Sequence, residues 1–201
     1  RSSRGLRSAL RLVSRQRVAA ALSPSPAPAE GLTPPWGLVD SPVYSVATRD
    51  LEHKGNMNIA TYVSAASLAK DADSKKCYSV ALFKNTRTHD NAKRDGEIAL
   101  QLLSRRHSRL IKLLGKTSGN DGDKMSTLTN LGEEVSWRWD MPYLSSCKAV
   151  CRLKSLGWLD AGDHELGLFE VIEWLPGDSH SDTDPDAKVL DTSYLKEIGV
   201  L

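Results

Sequence analysis

The sequence predicts a mainly β fold, a β-barrel carrying short helical insertions. Three observations lead there: six runs of alternating or β-branched apolar residues, few and short helical patterns, and no strict strand–helix–strand alternation of the kind that builds a doubly wound sheet. The runs are residues 42–48 (PVYSVAT), 57–67 (MNIATYVSAAS), 77–83 (CYSVALF), 97–103 (EIALQLL), 147–153 (CKAVCRL) and 164–174 (HELGLFEVIEW). Each is rich in residues that fit a pleated, half-buried surface.

Two helices are expected between the runs. THDNAKRDG (88–96) reads as a short polar helix ending at a glycine. HSRLIKLLGK (107–116) places Leu110, Leu113 and Leu114 on one face and basic residues elsewhere. The segment 176–187 (PGDSHSDTDPDA) is a polar acidic loop, and SYLKEIGVL a short C-terminal helix or tail.

Composition bounds the rest. The 201 residues, 40% apolar and 26% charged, suffice for one medium domain plus a tail. No apolar run reaches the ~18 residues that a membrane-spanning helix needs. Lys+Arg 27 against Asp+Glu 25 gives +2, too balanced to announce a nucleic-acid partner. The balance hides an asymmetry: residues 1–29 hold six Arg and no acid, leaving 21 basic against 25 acidic residues in the remainder. Leu6, Ala9, Leu10 and Val13 fall on one helical face among those arginines. Residues 1–22 are therefore expected to be an organellar import segment, chloroplast ahead of mitochondrion, the alternative being a disordered basic arm. Residues 23–35 form a Pro-rich linker, and the folded domain is expected over 36–201.

Several motifs fail on inspection. GKTS (115–118) resembles the end of a phosphate-binding P-loop, but Leu110 stands where that motif needs glycine, and no strand precedes it. Asp182, Asp184 and Asp186 begin like a calcium loop whose required Gly and Glu are replaced by Ala187 and Ser193. Cys77, Cys147 and Cys151 have no partner at zinc-ligand spacing and read as core thiols, so no metal site is expected. The cluster Arg105, Arg106, His107, Arg109 and Lys112 lacks interleaved aromatics and reads as a solvated helix face.

Three segments remain that carry chemistry. NMNIATYVSAAS is studded with small hydroxyl and amide side chains. FKNTRTHDN (83–91) runs from a strand end into a helix start. Its two hydroxyls, two cations and helix N–H groups suit a phosphate, although a plain helix cap fits equally well. Gly162, Asp163 and His164 form a turn ahead of a long strand.

From about Ser41 to Leu201, the chain resembles the flavin reductase-like family, the FMN-binding split barrel. PVYSVATRD is similar to the family's first strand and NIATYVSAASL to its flavin-facing second strand, with Tyr62 where many members carry a small residue. FKNTRTHDN is similar to the family's Ser/Thr-rich loop before a helix, with Thr86 in place of Ser. GEIALQLLS, and AVCRL followed by GDHELGLFEV, complete the series; Gly-Asp-His is its most specific short motif.

The resemblance implies an FMN-dependent oxidoreductase, with FAD as the other flavin to consider. Hydride would pass from NADH or NADPH to bound flavin and on to an acceptor such as free flavin, a partner oxygenase or a metal complex. A non-catalytic flavin- or haem-binding assembly subunit is the alternative. It further implies that Thr61, Tyr62, Val63 and Ser64 line the isoalloxazine and ribityl chain. Lys84, Asn85, Thr86, Arg87 and Thr88 would hold the phosphate. His164, the catalytic candidate, would sit near the nicotinamide. A homodimer with flavin at its interface is expected.

Overall fold

The computed structural model of the chain describes residues 33–71, 74–117, 122–178 and 183–201. Residues 1–32, over which the import segment and most of the linker are expected, lie outside them. The chain divides at Leu38 into two units. The described part of the first contains a four-residue helix, α1 (Pro35–Leu38), so the Pro-rich stretch does end in helix; proline at the first helical position lacks only an N–H that would have no partner there.

The second unit, Val39–Leu201, is built on seven antiparallel strands in the spatial order β2-β1-β5-β8-β9-β4-β3. They are β1 (Tyr44–Arg49), β2 (Gly55–Ala60), β3 (Val63–Leu68), β4 (Lys76–Phe83), β5 (Glu97–Leu102), β8 (Ala149–Ala161) and β9 (His164–Pro176). A small hairpin, β6 (Val135–Arg138) and β7 (Met141–Leu144), stands apart from this sheet. Its two turn residues, Trp139 and Asp140, both adopt positive φ, as a tight hairpin turn requires.

The order of strands closes the sheet. Its two outermost strands, β2 and β3, are neighbours in sequence, joined only by Thr61 and Tyr62. The three Cα–Cα steps from Ala60 to Val63 span at most about 11 Å, so the sheet must curl until its edges come together at that point. The result is a split barrel, as expected.

The single run foreseen over 57–67 is thus two strands. Tyr62 uses its carbonyl to accept the Ala81 N–H at 3.0 Å, and the chain then changes partner from β1 to β4. The periodicity of NMNIATYVSAAS passes across the break undisturbed, which is why no interruption shows in the sequence.

Strands β1 and β5 are buried on both faces, and their parity assigns each face. Val46, Ile98 and Leu100 join Val80, Leu153 and Phe169 inside the barrel. Ala47 and Ala99 face outward into a second core with Met57, Leu103, Leu110, Leu114 and Leu128. That outer core is covered by α3 (Ile111–Lys116), its preceding 3-10 turn Arg105–Leu110, α4 (Lys124–Asn130) and the β6–β7 hairpin. The helix foreseen over 107–116 therefore begins as 3-10; α4 and the hairpin were not foreseen.

The basic residues before α3 are individually engaged. Arg106 pairs with Asp184, Arg109 with Glu133, and Arg105 lies over the Tyr194 ring on α5 (Thr192–Glu197). His107 is buried, hydrogen-bonded to Ser146 at 2.9 Å, and desolvation pushes its pKa down to about 4, so it is neutral at pH 7. The three thiols are free, and burial pushes that of Cys147 up to about 12.

Candidate functional site

Strand β4 hands over to α2 (Arg87–Asp95) through a turn whose residues are dictated by its geometry. Asn85 sits at φ 61, in the left-handed region that asparagine tolerates better than most residues. Thr86 is the extended N-cap: its hydroxyl donates to the Phe83 carbonyl at 2.8 Å and accepts the His89 N–H at 3.3 Å. Gly96, at φ 68, ends the helix. Two buried amides tie α2 to the barrel edge. Asn56 donates to the Thr88 hydroxyl at 2.8 Å, and Asn91 donates to the Thr48 hydroxyl at 3.2 Å.

Three neighbouring cavities lie along this junction, each sharing wall residues with the next. The first, about 110 Å³, lies between the β2–β3 break and the end of β4, lined by Ala60, Thr61, Tyr62, Phe83, Thr86 and His164 among others. The second, about 190 Å³, shares Asn58, Thr86 and Thr88 with the first and adds Asn56, Asn85, Arg87, Lys116, Thr117 and Lys124. The third is an open groove of about 720 Å³ that shares Asn56, Arg87 and Lys124 with the second and reaches His53, Met125 and Trp137.

The middle cavity has the chemistry of an anion site. Arg87, Lys116 and Lys124 line it alongside threonine hydroxyls and asparagine amides, and no carboxylate is among its lining residues. Lys124 is the telling member. It is only 5% exposed, and its ammonium donates to the carbonyls of Met57 at 3.0 Å and Leu114 at 2.8 Å. No described carboxylate pairs with it, and burial pushes its pKa down to about 8. A buried cation balanced only by carbonyls, at the wall of a cavity, is a costly arrangement that an anion in the cavity would relieve.

At the opposite end, His164 lies edge-on between Tyr62 and Phe83, with ring centroids at 5.4 and 5.2 Å. Its Nδ1 is 2.7 Å from the Asp163 carboxylate, whose hydrogen bond with the ring holds the Asp163 pKa below its usual value. Tyr62 and Phe83 are 60% and 54% exposed, so the first cavity opens along an uncovered face.

The structure brings most of the sequence candidates together. Thr61, Tyr62 and His164 line the first cavity; Asn85, Thr86, Arg87 and Thr88 line the second, Thr86 and Thr88 being common to both. Val63 and Ser64 stand on the edge strand β3 and are not among the lining residues. Lys84 points to the β8–β9 turn instead, donating to Asp160 at 2.9 Å and to the Gly162 carbonyl at 2.6 Å. Arg87 is ion-paired with Asp50 at the wall of the cavity.

Asn56 and Asn58 are the amides of the NMNIATYVSAAS segment, to which sequence reasoning assigned no specific role; it missed Lys116, Thr117 and Lys124 as site residues. GKT was correctly refused as a P-loop, yet Gly115, Lys116 and Thr117 all reach the anion cavity from the end of α3. Their spacing to Thr86 is set by the tertiary fold. For Lys124 the sequence holds no signal, since DKMSTL reads as an ordinary helix start.

Comparison with known proteins bears on the family and the fold. A family model described as flavin reductase like domain matches residues 36–188. No curated protein matches the chain at a significant level. Among solved structures, it is similar to an FMN-binding protein from Thermus thermophilus bound to 1-cyclohex-2-enone (20% identity, 76% of this chain and 79% of that one, TM-score 0.60). It is also similar to the styrene monooxygenase flavin reductase of Pseudomonas putida S12 (13%, 70% and 83%, TM-score 0.57). A third is the NADH:FAD oxidoreductase of Streptomyces globisporus C-1027 in complex with NAD and FAD fragments (15%, 69% and 76%, TM-score 0.58). At these identities the structures speak to the fold, whereas the family model spans most of the sequence: the chain belongs to the flavin reductase like domain family.

Proposed function

We propose that the protein is a flavin-dependent oxidoreductase that takes hydride from NADH or NADPH and passes the electrons to an acceptor. The observation that carries this reading is the cavity lined by Lys116, Lys124 and the Asp50-paired Arg87, which shares Asn58, Thr86 and Thr88 with the slot beneath Tyr62 and His164. The donor set fits the flavin mononucleotide unit that FMN and FAD share. Lys124 and Lys116 would neutralise the phosphate, Arg87 standing beside them in its pair with Asp50, and the first turn of α2 would offer N–H groups. Thr61 and Tyr62 would line the ring and its side chain.

Bound flavin supplies a ring able to accept two electrons and to release them singly or together. The protein's part is position and dryness. Val46, Ala60, Leu82 and Phe83 furnish apolar walls, and His164, steadied by Asp163 and two aromatic rings, would orient the nicotinamide.

The same reading takes the protein as a homodimer. Leu159, Leu168, Ile172 and Trp174 are exposed on β8 and β9, and Tyr62 and Phe83 continue this apolar surface at the slot. A slot of about 110 Å³ falls short of the ~300–1,000 Å³ usual for a bound organic ligand, and a second chain laid on this face would complete it. A partner oxygenase as acceptor, and organellar import through residues 1–22, belong to the same proposal. The first is supported by a similar structure being a monooxygenase's reductase, the second by the acid-free arginine pattern.

The test is equilibrium binding of FMN and riboflavin to apoprotein, followed by NAD(P)H oxidation by the loaded protein. Phosphate-dependent binding with turnover supports the reading. Binding without oxidation of either nucleotide would make the protein a flavin carrier, and preference for haem over flavin would refute the site.

A further inference from the structure

The β8–β9 turn that carries His164 is anchored from two sides. On one side Lys84 donates to Asp160 and to the Gly162 carbonyl, and its backbone N–H donates to the Asp163 carbonyl at 3.0 Å. On the other side stands Glu165, the residue after His164. Successive side chains of a strand point to opposite faces, so Glu165 turns toward α2 while His164 turns toward Tyr62 and Phe83.

Glu165 meets two donors there. His89 and Lys93, four residues apart, share one face of α2. The His89 Nε2 lies 2.6 Å from the carboxylate, which can only accept, so this nitrogen carries the proton and donates. Lys93 donates to the same carboxylate at 3.2 Å. The two donors, His89 first, hold the Glu165 carboxyl below its usual pKa. The contact is sheltered. Trp158 stands edge-on to the His89 ring with centroids at 6.1 Å, and the Lys93 ammonium lies 5.1 Å above the indole. The indole in turn packs edge-on against the buried Phe169 at 5.3 Å. It crosses β9 at Gly167, where a Cβ would stand 2.9 Å from its ring.

The seat of α2 does not depend on this contact, because the Asn56–Thr88 and Asn91–Thr48 bonds already fasten the helix to the barrel edge. What the contact adds is a link between the two ends of the site. His89 gives its backbone N–H to Thr86 at the wall of the anion cavity, and its side chain to the residue beside His164. Resting on the flavin reading above, we propose that His89 is a positioning residue: through Glu165 it fixes the start of β9, and with it the angle at which His164 faces the slot. His89 lines neither the anion cavity nor the slot, so its effect on the reaction runs through His164.

The experiment compares wild type with His89→Ala, His89→Asn and His89→Gln. The Gln amide reaches about as far as the imidazole Nε2, whereas the Asn amide falls short of Glu165. Histidine side-chain NMR of the apoprotein, with His164→Asn supplying the assignment, reads His164 without any flavin. His89→Ala and His89→Asn should shift or broaden the His164 imidazole signals, and His89→Gln should return them toward wild type. In the flavin-loaded protein, FMN affinity should stay within about twofold in all three variants. The limiting rate of flavin reduction should fall roughly tenfold in the Ala and Asn variants and recover in Gln. Adding His89→Ala to His164→Ala should cost no further rate, since both act through one group. Unchanged His164 signals in the Ala and Asn variants overturn the proposal. So does a loss of FMN affinity that matches the loss of rate, which would make the contact a support for α2. A wild-type flavin that neither nucleotide reduces would refute the oxidoreductase reading instead, and the apoprotein spectra would still decide whether His89 positions His164. Should His89→Ala not fold, the Asn and Gln variants make the same comparison.

Discussion

The ammonium of Lys124 donates to the carbonyl of Leu114 at 2.8 Å, and through that bond the end of α3 and the start of α4 meet at one wall of the anion cavity. Burial holds this lysine's pKa down at about 8 from 10.5. Below pH 8 it is charged and attracts phosphate; above, the attraction is lost with the proton. Affinity for FMN should therefore fall by up to about tenfold per unit above pH 8, since binding then requires proton uptake. Riboflavin affinity should stay flat, as should that of FMN for Lys124→Met. The stability of the apoprotein runs the other way. Between about pH 8 and 10.5 the unfolded chain binds more protons than the folded one, so apoprotein stability rises with pH. Titration at several pH values, with parallel urea melts, checks both signs.

Thr86 is a cap before it is anything else. Its hydroxyl both donates to Phe83 and accepts from His89. Thr86→Ala should lower stability by about 0.5–2 kcal/mol, and Thr86→Ser should restore most of it. Urea denaturation of the apoprotein reads this directly, without flavin present. Equal stability of the Ala variant and wild type would contradict the cap.

The exposed face of β9 gives a third prediction. Leu168 and Ile172 point away from the barrel core on alternate positions of one strand. Replacing both with Asp should leave the barrel folded, turn a dimer into a monomer in sedimentation equilibrium, and weaken flavin binding. A wild type that is monomeric at micromolar concentration would contradict the dimer reading.

These residues also mark what could be read from the sequence. The strands of the seven-stranded sheet were legible because apolar and β-branched runs stand out between polar turns, even in β1 and β5, which are buried on both faces. The N-cap at Thr86 and the Gly-Asp-His turn were legible because local chemistry fixes them. The β2–β3 break was not, since nothing in Thr61–Tyr62 interrupts the pattern and only the closing of the sheet demands it. Lys84 was misplaced for a related reason. Its neighbours in sequence lie at the cavity, but the β8–β9 turn, 76 residues away at Asp160, captures its ammonium. Lys116 and Lys124 reach the site only through the packing of α3 and α4 on the outer core, which no spacing rule encodes.

His164 should act by position. Held by Asp163 and flanked by Tyr62 and Phe83, it can be replaced without touching the phosphate cavity. His164→Asn should keep flavin affinity within about twofold. His164→Ala should slow reduction of the bound flavin by roughly tenfold to a hundredfold. Recovery of the rate in the Asn variant, with a flat pH profile, would assign orientation; a rate lost in both would assign proton transfer.

The most direct test of the central claim is anaerobic stopped-flow mixing of the flavin-loaded protein with NADH and, separately, with NADPH. Loss of the visible flavin absorbance with at least one nucleotide, in a phase that saturates with its concentration, is the predicted result. A bound flavin that keeps its full absorbance with both nucleotides would contradict the oxidoreductase reading and leave a flavin-binding module in its place.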